Sequence, residues 1–226
     1  MTYQLPCYQR LNDESAAPFD VVRIICIGRN YAEHAIEMGH DPKAEPPFFF
    51  YKPLTALNSC GQFALPDYSN NVHYELELVL ALHNGGSHLS EQEAKACIGG
   101  FAVGLDMTCR DTQQQAKQAG RPWEMAKGFD QSAPCSAIAL GAYDDLQHIG
   151  AMRLSRNNQT LQQGHWRDMV WQPLELLQYL SRFTQLQAGD LIYTGTPAGV
   201  GSVQDGDVLH AQIEGLSHTL TLSVHT

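Results

Sequence analysis

The chain has 226 residues, of which 43% are hydrophobic and 17% charged, and its formal net charge at pH 7 is −10. A chain of this length and composition can bury a substantial core as one large globular domain. The strong negative charge argues against nucleic acid and against anionic membrane surfaces as partners.

The first 20 residues are polar and show no hydrophobic period. We therefore expect an irregular N-terminal arm over residues 1–20, followed by a single domain over residues 21–226. The apolar run over residues 21–28 ends in glycine and predicts a buried strand. Asn30 can cap a helix and Glu33 completes a capping-box-like pair, which predicts a short helix over residues 31–38.

His34 and Glu37 lie three residues apart on that predicted helix, so their side chains are neighbours on one surface. A carboxylate beside an imidazole fixes its tautomer and raises its basicity, which suits a general base for water. The alternative is an exposed pair that only stabilises the helix. Because so short a helix is weakly anchored between a strand and a proline-rich loop, it is also predicted to act as a mobile lid.

The aromatic run over residues 48–53 predicts another buried strand, which ends at Pro53. Lys52, near its end, is either a lysine that extends its ammonium to solvent or a residue of a functional site. The first interpretation is favoured here.

Residues 73–80 alternate with the period of a β-strand, which places Glu75 and Glu77 on one face. The residues around them are strongly apolar, and two like charges in such surroundings are costly unless a proton or a cation separates them. A divalent metal would meet that need. The alternative is a solvated strand face that carries two surface glutamates.

Ser90 and Glu93 form a capping box that predicts a helix over residues 90–98, which the next two glycines end. Residues 101–108 then predict a strand that carries Asp106 near its end. An acid that closes an apolar strand must be paired or ligated if it is buried. It can instead cap the helix for which residues 106–118 are suited.

Arg110 and Gln113 are three residues apart on that helix, and a guanidinium beside an amide suits a substrate carboxylate. As the alternative, both are simply polar helix residues. Lys127 lies in a mostly apolar segment over residues 122–130. A desolvated lysine near carboxylates would stabilise developing negative charge or an enolate, whereas the alternative is a solvated loop lysine.

The C-terminal part is predicted to be rich in strands, with a hairpin tip over residues 157–159 and an amphipathic helix over residues 173–181. The glycine-rich segment over residues 194–201 follows a strand but matches neither a phosphate loop nor a dinucleotide fingerprint. Such a loop can still bring backbone N–H groups and Thr196 close to a small anion.

Six scattered cysteines without a close pair predict reduced thiols rather than disulfides or a zinc site. The N-terminus lacks the pattern of a signal peptide, and no apolar run is long enough to predict a membrane span. A cytoplasmic location is therefore expected.

Glu75, Glu77 and Asp106 are acids on predicted strands, without clustered cysteine or histidine. Such an all-oxygen set suits Mg²⁺, Mn²⁺ or Ca²⁺ rather than zinc and leaves positions open for water and substrate.

Six groups of residues, in this order along the chain, resemble motifs of the fumarylacetoacetate hydrolase family, in particular its small single-domain acylpyruvase and oxaloacetate decarboxylase members. The resemblance runs from about residue 21 to residue 216. The groups are Gly28–Tyr31 with His34 and Glu37, Lys52–Pro53, Tyr74–Glu77, Asp106–Asp111, Trp123 with Lys127–Asp130, and Thr194–Gly201. The chain departs from the usual pattern of these relatives at residues 157–161. This departure affects only the prediction of the local loop geometry.

The resemblance implies an α+β, mainly β fold: a mixed β-sandwich roll of that family's C-terminal-domain type with a short lid helix. It implies a homodimer, and Mg²⁺ or Mn²⁺ held by Glu75, Glu77 and Asp106. It also implies that His34 and Glu37 form a water-activating dyad and that Lys127 is a catalytic lysine. The substrate contacts that it implies are Arg29, Arg110, Gln113 and Thr196.

The function implied is metal-dependent hydrolysis of a C–C bond in acylpyruvate-like 2,4-dioxo acids, such as acetylpyruvate or fumarylpyruvate, through a metal-stabilised pyruvate enolate. Decarboxylation of oxaloacetate and tautomerisation or isomerisation of 2-oxo acids pass through a similar enolate in the same site and stay open. The dyad favours hydrolysis, because only that reaction needs an activated water. A ligand-binding protein without catalysis is the remaining alternative, and such a protein needs no dyad.

Overall fold

The computed structural model describes residues 3–10, 13–32 and 46–226. Its strands, labelled in chain order, are β1 Tyr3–Gln9, β2 Ser15–Val21, β3 Arg23–Gly28, β4 Phe48–Lys52, β5 Leu57–Asn58, β6 Gln62–Ala64, β7 Val72–Tyr74, β8 Leu76–Leu82, β9 Ile98–Leu105, β10 Thr108–Cys109, β11 Ala133–Pro134, β12 Ile138–Leu140, β13 Ala151–Arg156, β14 Gln159–His165, β15 Asp190–Tyr193, β16 Gly201–Ser202, β17 Val208–Ile213 and β18 Leu220–His225. The α-helices are α1 Glu91–Cys97, α2 Arg110–Gln118, α3 Glu124–Lys127 and α4 Pro173–Leu180. Short 3₁₀ helices span Leu54–Ala56, Tyr143–His148 and Trp166–Asp168.

Within the described residues, eight strands form a mixed sheet in the order β2-β1-β12-β9-β8-β15-β3-β4. The central strand β8 is buried along its whole length, and its sequence is apolar at every position except Glu77. A second sheet, in the order β14-β13-β17-β18-β6, contributes the apolar side chains that complete the main core. The predicted mainly β, two-sheet architecture is confirmed.

The prediction of an irregular arm over residues 1–20 is wrong for the part that the structure describes. Strands β1 and β2 pair as an antiparallel hairpin, and β1 continues the main sheet by pairing in parallel with β12. The anchors are few: Leu5, Cys7 and Tyr8 are buried, while most of β2 is exposed. Because polar residues surround these anchors, the sequence window lacks a clear hydrophobic period.

The single strand predicted over residues 73–80 is instead two strands separated by Glu75. β7 pairs with β10 and β16 in a small sheet, whereas β8 pairs with β9 and β15 in the main sheet. At the break, the backbone N–H of Asp106 donates to the carbonyl oxygen of Glu75 over 2.9 Å. The chain therefore passes from one sheet to the other at Glu75.

The predicted capping box of α1 is present, since Ser90 and Glu93 each accept a hydrogen bond from the other's backbone N–H. The hairpin tip and the helix at Pro173 are also confirmed. The alternative role of Asp106 as a helix cap is wrong, because α2 begins at Arg110 after the short strand β10. Every helix in the described ranges is too short or too polar to span a lipid bilayer.

Gly104 in β9 offers a test of this packing, because it lies directly opposite Glu77 and admits no side chain. A Cβ there would lie 2.5 Å from Val79 Cγ2 and 2.6 Å from Tyr193 Cε1, both in the fully buried centre of the sheet. We expect Gly104→Ala to lower the free energy of unfolding by about 1–3 kcal/mol through overpacking, as measured by urea denaturation.

Gly150→Ala is a suitable comparison, because the nearest obstacle there is the flexible carboxylate end of Glu214. It should destabilise the protein less than Gly104→Ala. An equal or smaller loss for Gly104→Ala would show that the sheet relaxes at this point.

Candidate active site

Three carboxylates meet at the junction of the two sheet systems. Glu75 lies at the break between β7 and β8, Glu77 lies in β8, and Asp106 follows β9. One carboxylate oxygen of each lies within 4.8 Å of the others, and all three residues are buried. The structure therefore brings together the acids that the sequence singled out.

Two of these acids are paired with cations from the helical segments. Lys127, at the end of α3, places Nζ 2.9 Å from Glu75 Oε2 and 2.6 Å from Asp106 Oδ2. Arg110, at the start of α2, places Nη2 2.6 Å from Glu75 Oε1. Burial alone lowers the pKa of the Lys127 ammonium, but the charges of Asp106 and Glu75 outweigh it and raise the pKa. Lys127 is therefore a fully charged, buried ammonium, and the alternative of a solvated loop lysine is wrong.

Lys52 belongs to the same cluster, so the favoured interpretation of a solvent-reaching lysine is wrong. Its buried Nζ lies 2.8 Å from Asp106 Oδ1 and donates to Ser132 Oγ over 3.0 Å. It also donates to the backbone carbonyls of Met107 and Lys127. The sequence contained a usable signal, since Lys52–Pro53 is one of the six groups of residues that resemble motifs of the fumarylacetoacetate hydrolase family.

Glu77 differs from the other two acids, because it has no ion-pair partner among the described residues. Its Oε2 accepts a hydrogen bond from the backbone N–H of Gly195 over 2.8 Å. Burial, followed by the charges of Asp106 and Glu75, raises the pKa of Glu77 well above its usual range. Gly195 adopts φ +99°, and a Cβ there would lie 2.7 Å from Asn30 Cβ, so only glycine brings this N–H to Glu77 without strain.

The chemistry of this donor set fits a hard divalent cation. All donors are carboxylate oxygens, with no sulfur or imidazole ligand in the described cluster. Among the described residues, Lys52, Lys127 and Arg110 pair with Glu75 and Asp106 but not with Glu77, whose carboxylate the other two acids repel. A cation placed there would relieve that repulsion.

A pocket opens onto the three acids. Every predicted site residue that the structure describes lines it, whereas His34 and Glu37 lie outside the described residues. The lining residues are Ile27, Gly28, Arg29, Phe48, Phe50, Glu75, Glu77, Asp106, Arg110, Gln113, Lys117, Trp123, Lys127 and Thr196. Arg110 Nη1 donates to Gln113 Oε1 over 2.9 Å, which confirms the predicted contact of these two side chains.

Gln162 supports the pocket from behind and is not among the site residues predicted from the sequence. Its Oε1 accepts the N–H of Leu76, between the two glutamates, over 2.9 Å. Its Nε2 donates to Thr196 Oγ1 and to the carbonyl of Pro197, both over 2.9 Å. Because Thr196 Oγ1 accepts this bond, its own proton is available for a ligand in the pocket. No local pattern around Gln162 signals this role, since its partners are remote in sequence.

Comparisons with known proteins place this chain among a set of enzymes. A family described as fumarylacetoacetate (FAA) hydrolase, C-terminal, matches residues 23–221. The oxaloacetate tautomerase YcgM of Escherichia coli is 40% identical over 221 residues, which cover 96% of this chain and 99% of that protein. A fumarylpyruvate hydrolase of a Ralstonia species is 41% identical over 178 residues, covering 78% of this chain and 92% of that protein.

A solved structure extends this similarity to three dimensions. The crystal structure of fumarylpyruvate hydrolase from Pseudomonas aeruginosa, in complex with Mn²⁺ and pyruvate, aligns with a TM-score of 0.88 at 39% sequence identity. The alignment covers 99% of this chain and 96% of that chain.

Glu77→Gln tests the electrostatics of the acid cluster, because it should raise the stability of the metal-free protein but lower the affinity for metal. The amide keeps an oxygen for the Gly195 N–H but removes one of the mutually repelling charges. For the metal-free protein we expect a gain of about 1 kcal/mol in the free energy of unfolding, or about 2–4 °C in melting temperature, near pH 8. We expect the affinity for Mn²⁺, measured by calorimetry, to fall by about 100-fold or more.

The stability difference should also depend on pH. Because the folded-state pKa of Glu77 is raised, its contribution to stability is fully present below the unfolded-state pKa and is lost as pH rises through the folded-state value. The advantage of Glu77→Gln in the metal-free protein should therefore shrink as the pH is lowered from 8 to 5. A variant less stable than the wild type throughout this range would contradict the proposed repulsion.

Proposed function

The chain belongs to the fumarylacetoacetate hydrolase family, and we propose that it is a divalent-metal-dependent hydrolase that cleaves a C–C bond in acylpyruvate-like 2,4-dioxo acids. The observation that carries this proposal is the buried acid cluster with the Lys127 ammonium at the base of an open pocket. Two relatives named fumarylpyruvate hydrolase support it, and one of them was crystallised with Mn²⁺ and pyruvate.

In this proposal Glu75, Glu77 and Asp106 hold the cation, and Mg²⁺ or Mn²⁺ is the ion expected for their oxygen donors. When bound, such a cation supplies Lewis acidity toward the carboxylate and 2-oxo oxygens of a 2-oxo acid. Lys127 and Lys52 fix the directions of the Asp106 oxygens, and Arg110 fixes one oxygen of Glu75. The donor set is thus held in place before any ligand arrives.

Water activation is assigned to His34, oriented by Glu37, on the basis of their spacing in the sequence. His34 takes one proton from water, and the water oxygen forms a bond to the distal carbonyl carbon of the acylpyruvate. The bond between that carbon and the methylene of the pyruvate part then breaks. Its electron pair passes to the departing pyruvate as an enolate, and protonation of the enolate carbon gives pyruvate beside the free acid.

The other pocket residues bind and orient the substrate in this scheme. The Lys127 ammonium lies where it can stabilise the enolate charge, since it is buried and directed into the acid cluster. Arg110, Gln113 and Thr196 offer donors to substrate oxygens, and Arg29 lines the same pocket with its guanidinium over the Phe48 ring. Together these groups favour an anionic 2-oxo acid.

Decarboxylation or keto–enol tautomerisation of oxaloacetate is the second candidate function. It is favoured by the high similarity to the oxaloacetate tautomerase of Escherichia coli along almost the whole of both chains. Either reaction uses the same enolate and the same cationic pocket but needs no attack by water. A binding protein without catalysis is the weakest candidate, because a paired lysine and three buried acids are a costly way to hold a ligand.

We also propose a homodimer in the cytoplasm. Among the described residues, strand β4 is an edge of the main sheet, and exposed aromatic side chains lie on and near it, including Tyr51 and Phe183. Exposed aromatic side chains at a sheet edge favour association with a second copy. All six cysteines are free thiols, and five of them are buried, which suits a reducing compartment. Light scattering after size exclusion would test the dimer.

The central experiment assays purified protein on acetylpyruvate, fumarylpyruvate and oxaloacetate with Mg²⁺, after chelation, and after restoring Mg²⁺. We expect chelation to abolish turnover and the ion to restore it, because the acids alone cannot polarise the substrate. His34→Ala should lower kcat for acylpyruvate hydrolysis by about 10²–10⁴-fold, as expected for loss of a general base.

The outcomes separate the parts of the proposal. Full activity of the chelated protein would exclude a metal mechanism. Hydrolysis that is unaffected in His34→Ala would refute the dyad but leave the metal site intact. Turnover of oxaloacetate without hydrolysis of either acylpyruvate would favour the second candidate function.

A further inference from the structure

One face of α2 runs along the pocket. Arg110, Gln113 and Lys117 are spaced at i, i+3 and i+7, which puts them in one row on the helix surface. All three side chains line the pocket. Arg110 is at the end nearest the acids, where it pairs with Glu75, whereas Lys117 lies on the solvent side.

Lys117 is a cation that the acid cluster does not use. The three acids already have Lys52, Lys127 and Arg110 beside them, and within the described parts of the chain no carboxylate forms an ion pair with Lys117. Burial, followed by repulsion from Arg110 and Arg29, lowers the pKa of Lys117. An anion at this end of the pocket would remove that repulsion.

The Lys117 side chain is held on the pocket side by an aromatic platform. Its Nζ lies 5.0 Å from the centroid of the Trp123 ring, within the range of a cation–π contact. Trp123 in turn packs edge-on against Phe48, with ring centroids 5.3 Å apart. The ammonium is therefore partly ordered before a ligand binds, which lowers the entropy cost of using it for recognition.

Lys117 lies two turns of α2 beyond Arg110. Seven residues of helix rise about 10.5 Å between the Cα atoms of these two residues. Since Arg110 pairs with Glu75, an anion bound at Lys117 would lie at the end of the pocket away from the acids.

We infer that Lys117 binds a second carboxylate at the far end of the substrate, so that the site prefers dicarboxylic over monocarboxylic 2,4-dioxo acids. This inference rests on the proposed function, since it assumes that the 2-oxo acid end lies at the acid cluster. It assigns Lys117 a role in specificity.

Two stable probes isolate the distal carboxylate. The acids 2-oxoheptanedioate and 2-oxoheptanoate differ only by that group, and neither has the 4-oxo group needed for cleavage. By calorimetry on Mn²⁺-loaded protein, we expect the diacid to bind about three- to tenfold more tightly, as for one partly exposed charge pair. Lys117→Met keeps the aliphatic stem over Trp123 but removes the charge, and it should abolish this difference.

Lys95→Met is the matched control, because Lys95 also lies over an aromatic ring, with Nζ 5.5 Å from the Tyr143 centroid, but outside the pocket. It should preserve the preference for the diacid. In kinetics, the ratio of kcat/KM for fumarylpyruvate to that for acetylpyruvate should fall at least threefold in Lys117→Met, mainly through KM.

The results distinguish this inference from the function on which it rests. Wild-type protein that binds neither probe and cleaves neither acylpyruvate would refute both. Wild-type protein that cleaves acetylpyruvate but binds both probes equally would refute the role of Lys117 alone. An equal loss of affinity for both probes in Lys117→Met would also overturn the inference, because it would indicate a structural role.

Discussion

The structure depends on the need to compensate three carboxylates that are buried close together. Their desolvation is costly, and each must find a partner that reaches it from another segment. Lys52 comes from β4, Arg110 from α2 and Lys127 from α3, so the acid cluster ties the helical segments to the sheets. Removing one partner from such a buried pair typically costs about 3–5 kcal/mol, because the remaining charge stays buried. The charges that serve the chemistry therefore also constrain the fold around it.

The break in the strand at Glu75 shows how the backbone produces this convergence. In a continuous strand, neighbouring acids two residues apart would point in one direction from one sheet. Here β7 and β8 belong to different sheets. The hydrogen bond from the Asp106 N–H to the Glu75 carbonyl oxygen holds the end of β9 beside the break between these two strands. Gly104 and Gly195 keep the space around Glu77 clear of side chains and supply one backbone donor. The acids converge because the chain leaves one sheet for another between them.

A pocket of this kind suits the different reactions named for two of the relatives. Hydrolysis of an acylpyruvate and tautomerisation of oxaloacetate can share an enolate, and one cationic site can stabilise it in both. In the proposed function, the two reactions are separated by an activated water, which is assigned to the dyad. The proposed recognition of a second carboxylate belongs to the row of polar side chains along α2. In these proposals, chemistry and specificity reside on different segments of the chain.

The sequence by itself determined the mainly β class, the approximate bounds of β4, α1 and α4, and the identity of the three acids, because hydrophobic period, caps and charge in apolar surroundings are local signals. It also indicated Arg110, Gln113, Thr196 and Lys127, which the structure places around one pocket. Only the tertiary structure decided that residues 3–9 join the main sheet, that Glu75 lies at a break, and that Lys52 and Gln162 serve the site. These features depend on partners far away in the chain, and the cost of a buried charge or an unpaired backbone group can be judged only once those partners are in place.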